Sequence, residues 1–226
     1  PPLDLLLRVY ERLRHALGGE NWWQAESPWE VMVGAILAQQ TTWQSVDRAL
    51  RSLKADGLLP PDALAHAALE RIESCLRPTG FYRSKARRLR LMAARVFEEA
   101  GTPEAFLARP PGALRRSLLA MEGVGEETAD AILLYAAGYP APVVDAYTRR
   151  ILQRLGHPLP RGYERAARQL REHLPDHVSD HRRFHAVMVI LGKEFCRPTP
   201  RCAPCPLLDL CPHGQAIVAE RPQTGL

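Results

Sequence analysis

The 226-residue sequence predicts an all-α fold on three observations. Apolar residues recur at three- and four-residue steps through most of the chain, the spacing of one helix face. Glycine and proline interrupt these runs at intervals of about one helix length. No stretch alternates with the period of two that a half-buried strand requires. Val143-Val144 is the one β-branched pair of note, and it is too short for a strand.

The elements follow in order. Leu3, Leu6, Leu7, Tyr10, Leu13 and Leu17 mark the apolar face of a first helix, which Gly18-Gly19 ends. Ser27-Pro28 opens a second, with proline in the first turn, where its missing N–H costs nothing. That helix runs through VMVGAILAQQ and is apolar almost all round, so it belongs at the centre of the fold. Further helices are expected at 43–55, 62–75, 84–100, 103–108, 111–120, 126–137, 146–155, 163–173 and 180–195. Gly57, Pro60-Pro61, Pro78, Gly80, Gly101 and Pro110-Pro111 separate the earlier ones. Gly214 to Leu226 reads as a partly loose tail. No repeat of fixed period and no low-complexity tract is present.

Composition narrows the function. With 46% apolar and 24% charged residues the chain is neither disordered nor collagen-like. Val31 to Ala38, a nearly unbroken apolar run of eight residues, is too short to span a bilayer. The N-terminal PPLDLLLRVYERL lacks the order of a secretory signal, so the expected location is the cytoplasm, where disulfides are rare. Thirty basic residues against 25 acidic ones give a net charge of +5, which favours a polyanionic partner. Of the basic residues only Lys54, Lys85 and Lys193 are lysines. No membrane partner and no oligomerisation helix is indicated, leaving monomer as the default.

Four of the five cysteines, Cys196, Cys202, Cys205 and Cys211, lie within sixteen residues as C-x5-C-x2-C-x5-C. Four thiolates this close along the chain can converge on one centre, and the prolines between them stiffen the loop. Zinc and an iron–sulfur cluster both take four thiolates, and the spacing leaves the choice open. Cys75 stands apart on a helical face and reads as an inert core residue. Arg197 and Arg201 place cations on the cysteine loop, where they suit phosphate contact.

LLAMEGVGEETADAILLYAAG, residues 118–138, reads as helix, tight turn, helix. Gly123 and Gly125, flanking Val124, are expected to supply positive φ and close backbone approach. The free amides at the start of the second helix can bind a phosphate oxygen. Asp145, in PVVDAYTRR, is placed to cap the next helix. A capping aspartate stays ionised, so it could also activate water or stabilise a cationic sugar.

With hairpin, aspartate and cysteines in this order and spacing, the chain resembles the helix-hairpin-helix DNA glycosylases of the endonuclease III superfamily, from about Pro28 to Cys211. The resemblance implies a six-helix barrel domain at 20–139, and a second domain joining 1–19 to 140–226. It implies that the four cysteines hold a [4Fe–4S] cluster, although the first spacing is x5 where the endonuclease III pattern has x6. It implies damaged double-stranded DNA as partner, with the cytoplasmic protein gathered on the nucleoid. Asp145 matches the catalytic aspartate. Gln39, in ILAQQTT, matches the glutamine that fills the gap left by an extruded base. Phe81, in TGFYRSKA, matches the residue that wedges into the opposite strand. By pattern alone Gln39 is a polar residue at a helix end, and Phe81 a buried aromatic in a turn. A base inside the stack cannot be reached, so extrusion follows from the chemistry.

One departure bears on mechanism. Bifunctional members carry a lysine two residues after the second hairpin glycine, and this lysine forms a Schiff base with the sugar. Here Glu127 occupies that position, and a carboxylate cannot form an imine. A monofunctional hydrolytic glycosylase is therefore expected. Asn21-Trp22-Trp23-Gln24, CLRPTGFYRSKARRL and EETADAILLYA look like the bacterial 3-methyladenine glycosylases of the superfamily. In those enzymes the paired tryptophans line the base pocket, as Trp22 and Trp23 would here, and flat aromatic walls suit a cationic alkylated purine. Those proteins lack the cluster. The alternatives are an endonuclease III-type glycosylase for oxidised pyrimidines and a non-catalytic damage-binding module. Asp145 argues against the latter, because a carboxylate repels phosphate and binding has no need of it.

Overall fold

The computed structural model describes residues 3–20 and 22–220. Asn21 and residues 221–226 of the expected tail lie outside the described residues. Among the described residues every regular element is a helix. The chain forms two compact units, Pro1–Trp22 with Pro140–Leu226, and Trp23–Tyr139, so the division falls between the two adjacent tryptophans.

The discontinuous unit begins with α1 (Leu3–Leu17), whose Leu6, Val9, Tyr10 and Leu13 are buried at the helical spacing. Val9 takes the inner place expected of Leu7, which is only half-buried.

The continuous unit opens with α2 (Pro28–Leu37). Ser27 caps it by accepting from the Glu30 amide at 3.1 Å. From Trp29 to Leu37 every residue is buried, as an all-round apolar helix requires. The helix stops three residues short of the expected end: Ala38 closes it, and Gln40 turns into the left-handed region with φ 53°. Next come α3 (Trp43–Ala55), α4 (Pro61–His66) and α5 (Leu69–Leu76). The single helix expected at 62–75 is thus two. No proline or glycine marks the break, where Ala67 and Ala68 are extended. Packing supplies the reason: α4 lies on the helix that follows Phe81, whereas α5 must lie on both that helix and α3. A short 3-10 turn, Arg77–Thr79, leads to α6 (Tyr82–Ala100), then α7 (Pro103–Leu107), α8 (Pro111–Leu119) and α9 (Glu126–Tyr135). Helices α4 and α7 have six and five residues, which leaves six longer helices in this unit.

The remaining helices, α10 (Ala146–Arg154), α11 (Tyr163–Arg171), α12 (Val178–Glu194) and α13 (Pro212–Ala219), belong with α1. Ile151, Leu152, Leu170, Phe184, Val187 and Met188 close one apolar core over Leu6, Val9 and Leu13. Each fully buried Leu, Ile, Val or Phe here contributes about 1.5–3 kcal/mol. Helix α13 corrects the expectation of a loose tail. Pro212 occupies its first turn, and the Cys211 Sγ caps it by accepting from the Gly214 amide at 3.3 Å. A thiol is not among the usual capping groups, so no local signal marked this helix start.

Candidate active site and nucleic-acid interface

Asp145 begins α10 as its N-cap. Its Oδ1 accepts from the Thr148 amide at 2.7 Å, and its Oδ2 lies 3.6 Å from Nε2 of His185 on α12. Both side chains are buried. Burial pushes the Asp145 carboxyl upward, but His185 and the Thr148 amide outweigh it and hold the group below the usual carboxylate range. The cap and the charged state expected from sequence therefore coexist in one residue.

His185 is one residue that sequence reading missed. Its ring meets the Trp22 indole edge-on, with centroids 5.5 Å apart, and Lys193 Nζ stands 5.8 Å from the Trp22 centroid. Asp145, His185, Trp22 and Lys193 thus form one contiguous set. Trp23 belongs to a different set: it packs on Trp43 and Tyr135, with centroids 5.2 and 5.0 Å away, and over Gly34. A β-carbon on Gly34 would stand 3.3 Å from the Trp23 ring, so the glycine leaves room for the indole.

The four cysteines are free thiols lining one hollow with Arg154, Phe195, Leu208 and His213. Among the described residues no three or more His, Cys, Asp or Glu are grouped to ligate a single metal ion. Burial pushes the Cys205 thiol up to about 11, helped by the other three cysteines and opposed by the Leu207 amide. Helix α10 reaches this loop through its arginines. Arg150 Nε donates to the Cys196 carbonyl at 2.8 Å, and Arg154 Nη1 to the Arg197 carbonyl at 2.6 Å and to Cys196 Sγ at 3.3 Å. Arg197 turns its Nε back onto the Lys193 carbonyl at 2.6 Å, while Arg201 is exposed. Cys75 is buried, with Sγ 3.6 Å from Asp56 Oδ2, as a core cysteine should be.

The hairpin joins α8 to α9, and its two glycines differ. Gly123 has φ +78°, as expected. Gly125 does not: it caps α9 with φ −88° and ψ 179°, a backbone open to any residue. A β-carbon on Gly123 would sit 2.8 Å from Arg88 Cζ and nearer still to its Nε, whereas one on Gly125 would meet nothing. Val124 is buried and its amide donates to the Met121 carbonyl at 3.2 Å, so it anchors the turn and offers no spare donor. No side chain caps α9, and Glu127 is an exposed residue of its first turn.

Gln39 is not a solvated helix end. Its Nε2 donates to the Gly123 carbonyl at 2.8 Å and to Thr128 Oγ1 at 3.2 Å, and its Oε1 accepts from Arg88 Nη1 at 3.1 Å. Arg88 and Thr128 carried no signal in the sequence. Phe81 is not a buried aromatic: its side chain is 69% exposed on a residue with φ 46° and ψ 28°.

Residues 33–176 match the HhH-GPD superfamily of base excision DNA repair proteins, and the chain belongs to that family. A provisionally assigned DNA repair glycosylase of Methanocaldococcus jannaschii is 36% identical over 211 residues, covering 92% of this chain and 96% of the relative. Endonuclease III of Bacillus subtilis is 31% identical over 193 residues, or 84% of this chain and 83% of the relative. Among solved structures, H. pylori 3-methyladenine DNA glycosylase (MagIII) bound to 1,N6-ethenoadenine has a TM-score of 0.74 at 26% identity, covering 84% of this chain and 97% of that one. An endonuclease III trapped as a covalent intermediate with DNA has a TM-score of 0.82 at 23% identity, covering 96% and 99%, a likeness of fold. No described helix is long and apolar enough to cross a membrane.

Proposed function

We propose that this protein is a monofunctional DNA glycosylase that removes alkylated purines of the 3-methyladenine type from duplex DNA, acting as a monomer. The observation that carries the proposal is Asp145: one oxygen fixed by the Thr148 amide, the other facing His185, the carboxylate ionised although buried. A carboxylate so held stabilises the oxocarbenium-like sugar and orients the attacking water. Glu127 stands at the lysine position of the hairpin and cannot form an imine. Lys54 is paired with Glu26 and Glu30, and Lys85 is buried. Lys193 is the lysine on the Asp145 set, so any covalent adduct with the sugar is to be sought there.

The Trp22 indole, in the set with His185 and Asp145, supplies an aromatic wall for the base, and the likeness to MagIII, a 3-methyladenine DNA glycosylase, supports the choice of an alkylated purine. Gln39 and Phe81 serve extrusion, the Gly123–Gly125 hairpin and the first turn of α9 grip the phosphates, and Arg197 and Arg201 add cations. Cys196, Cys202, Cys205 and Cys211, whose side chains line a common hollow, are the residues that would hold a [4Fe–4S] cluster. A cluster held there would tie the loop together through the four thiolates. The second reading, an endonuclease III-type enzyme for oxidised pyrimidines, is favoured by the relationship to the B. subtilis protein.

The test is a panel of duplexes carrying 3-methyladenine, 7-methylguanine, hypoxanthine, thymine glycol or an abasic site. Release of methylated purine with the strand intact supports the proposal. Release of thymine glycol alone supports the second reading, and a borohydride-trapped adduct removes the monofunctional assignment. Asp145→Asn keeps the helix cap, so it should abolish base release with DNA affinity unchanged or higher. Iron near four per chain supports the cluster, and stoichiometric zinc replaces it.

A further inference from the structure

Lys85 is a charged side chain that is only 1% exposed. It lies on the inner face of α6 in the same stripe as Leu89 and Val96. It makes no ion pair with any described residue, and the charge it faces is the repelling guanidinium of Arg88. A buried ammonium without a carboxylate is costly, so its two hydrogen bonds indicate what it is retained for. Nζ donates to the Leu37 carbonyl at 2.9 Å and to the Thr79 carbonyl at 2.9 Å. Leu37 ends α2, where unpaired carbonyls carry partial negative charge, and Thr79 ends the turn before Gly80 and Phe81.

These carbonyls are the roots of two loops. Gln39 and Gln40 follow Leu37, and Phe81 follows Thr79. Gln40 and Phe81, with φ of 53° and 46°, are the non-glycine residues of positive φ among those described. Such backbone persists only where its surroundings hold it. One ammonium therefore fastens the bases of both strained loops to α6. Three residues further along α6, Arg88 holds Gln39 by its side chain.

We propose that Lys85 is a positioning residue that sets the Gln39–Gln40 and Phe81 loops in register, so that base extrusion is done by the two loops as one unit. The proposal rests on the glycosylase reading above. Lys85→Met keeps the shape of the side chain and removes both hydrogen bonds. Single-turnover release is measured for one lesion in a fully paired duplex and for the same lesion in a one-nucleotide bulge, where little extrusion remains to be done. The expected result is a loss of about tenfold or more on the paired duplex, with less than about threefold on the bulge. Equal losses on both substrates, or no loss on either, overturn the proposal. Should the wild type release no base, the glycosylase reading fails but this inference is still read out: 2-aminopurine at the lesion position brightens when the wild-type protein extrudes it. Undiminished brightening with the variant refutes the positioning role. Should the methionine variant not fold, Lys85→Gln, which retains one amide donor, is held to the same thresholds.

Discussion

Gly123 and Gly125 look equivalent in the GVG of the hairpin, yet alanine at the two positions should have opposite consequences. At Gly123 the backbone has φ +78°, which costs an L-residue about 1–2 kcal/mol. The new β-carbon would also lie 2.8 Å from Arg88 Cζ, so the guanidinium must withdraw. Withdrawal gives up the 3.1 Å bond to Gln39, a charge-assisted contact worth about 1.5–3 kcal/mol in full. Arg88 is only half-buried and regains water when displaced, so the sum is about 2–4 kcal/mol. Gly125 has φ −88° and open space around its Cα. Alanine there loses a little as an N-cap and gains a little by restricting the unfolded chain, and the net change stays within about 1 kcal/mol. Urea unfolding followed by circular dichroism, with the slope unchanged, measures both. Duplex affinity is measured on the same variants by fluorescence anisotropy. On the proposed reading that the α9 amides grip a phosphate, a β-carbon at Gly125 would stand in the open space beside them, so Gly125→Ala should keep its stability and bind DNA more weakly. Stability of Gly123→Ala within about 0.5 kcal/mol of wild type, or a larger cost at Gly125, would refute the reasoning.

Phe81→Ala should leave the melting temperature within a degree or so, because the ring is 69% exposed and contributes little to the core, while excision from paired duplex falls. A variant that melts well below wild type would show Phe81 to be a structural residue after all. His181 is 1% exposed, and burial, with Arg171 in support and the Ala141 backbone, Asp176 and Asp180 in opposition, holds it below its ordinary 6.5. The unfolded chain then takes up the proton first as pH falls through 6.5, so stability is full above that pH and declines below it. Melting curves at pH 7.5 and 5.5 should show a smaller drop for His181→Leu than for wild type; parallel drops would remove His181 as the cause.

The legible part of the fold is the part governed by near neighbours. The apolar face of α1, the Ser27-Pro28 start of α2 and the Gly101 stop after α6 are all decided within one or two turns of chain. The break at Ala67-Ala68 was invisible because two alanines are good helix formers, and only the differing demands of α4 and α5 on α6 extend them. The site divides the same way. Asp145, the hairpin and the cysteines are marked by local spacing, as is the absence of lysine at Glu127. Their partners are not. Arg88 lies 49 residues from Gln39, and Gln39 lies 84 from Gly123.

By itself, then, the sequence determined most of the helices, their order, and the kinds of chemistry the chain can offer: a capped aspartate, a glycine hairpin and four thiols. Only the tertiary structure decided that His185 faces Asp145, that Trp22 and Trp23 serve different neighbours, that Gly123 and Gly125 have different reasons to be glycine, and that a lone lysine is buried between two carbonyls. The physical reason is one of range. Helical periodicity records which residues share a face within a few turns, whereas the partner across a packed interface depends on how helices far apart in the chain come to lie against each other.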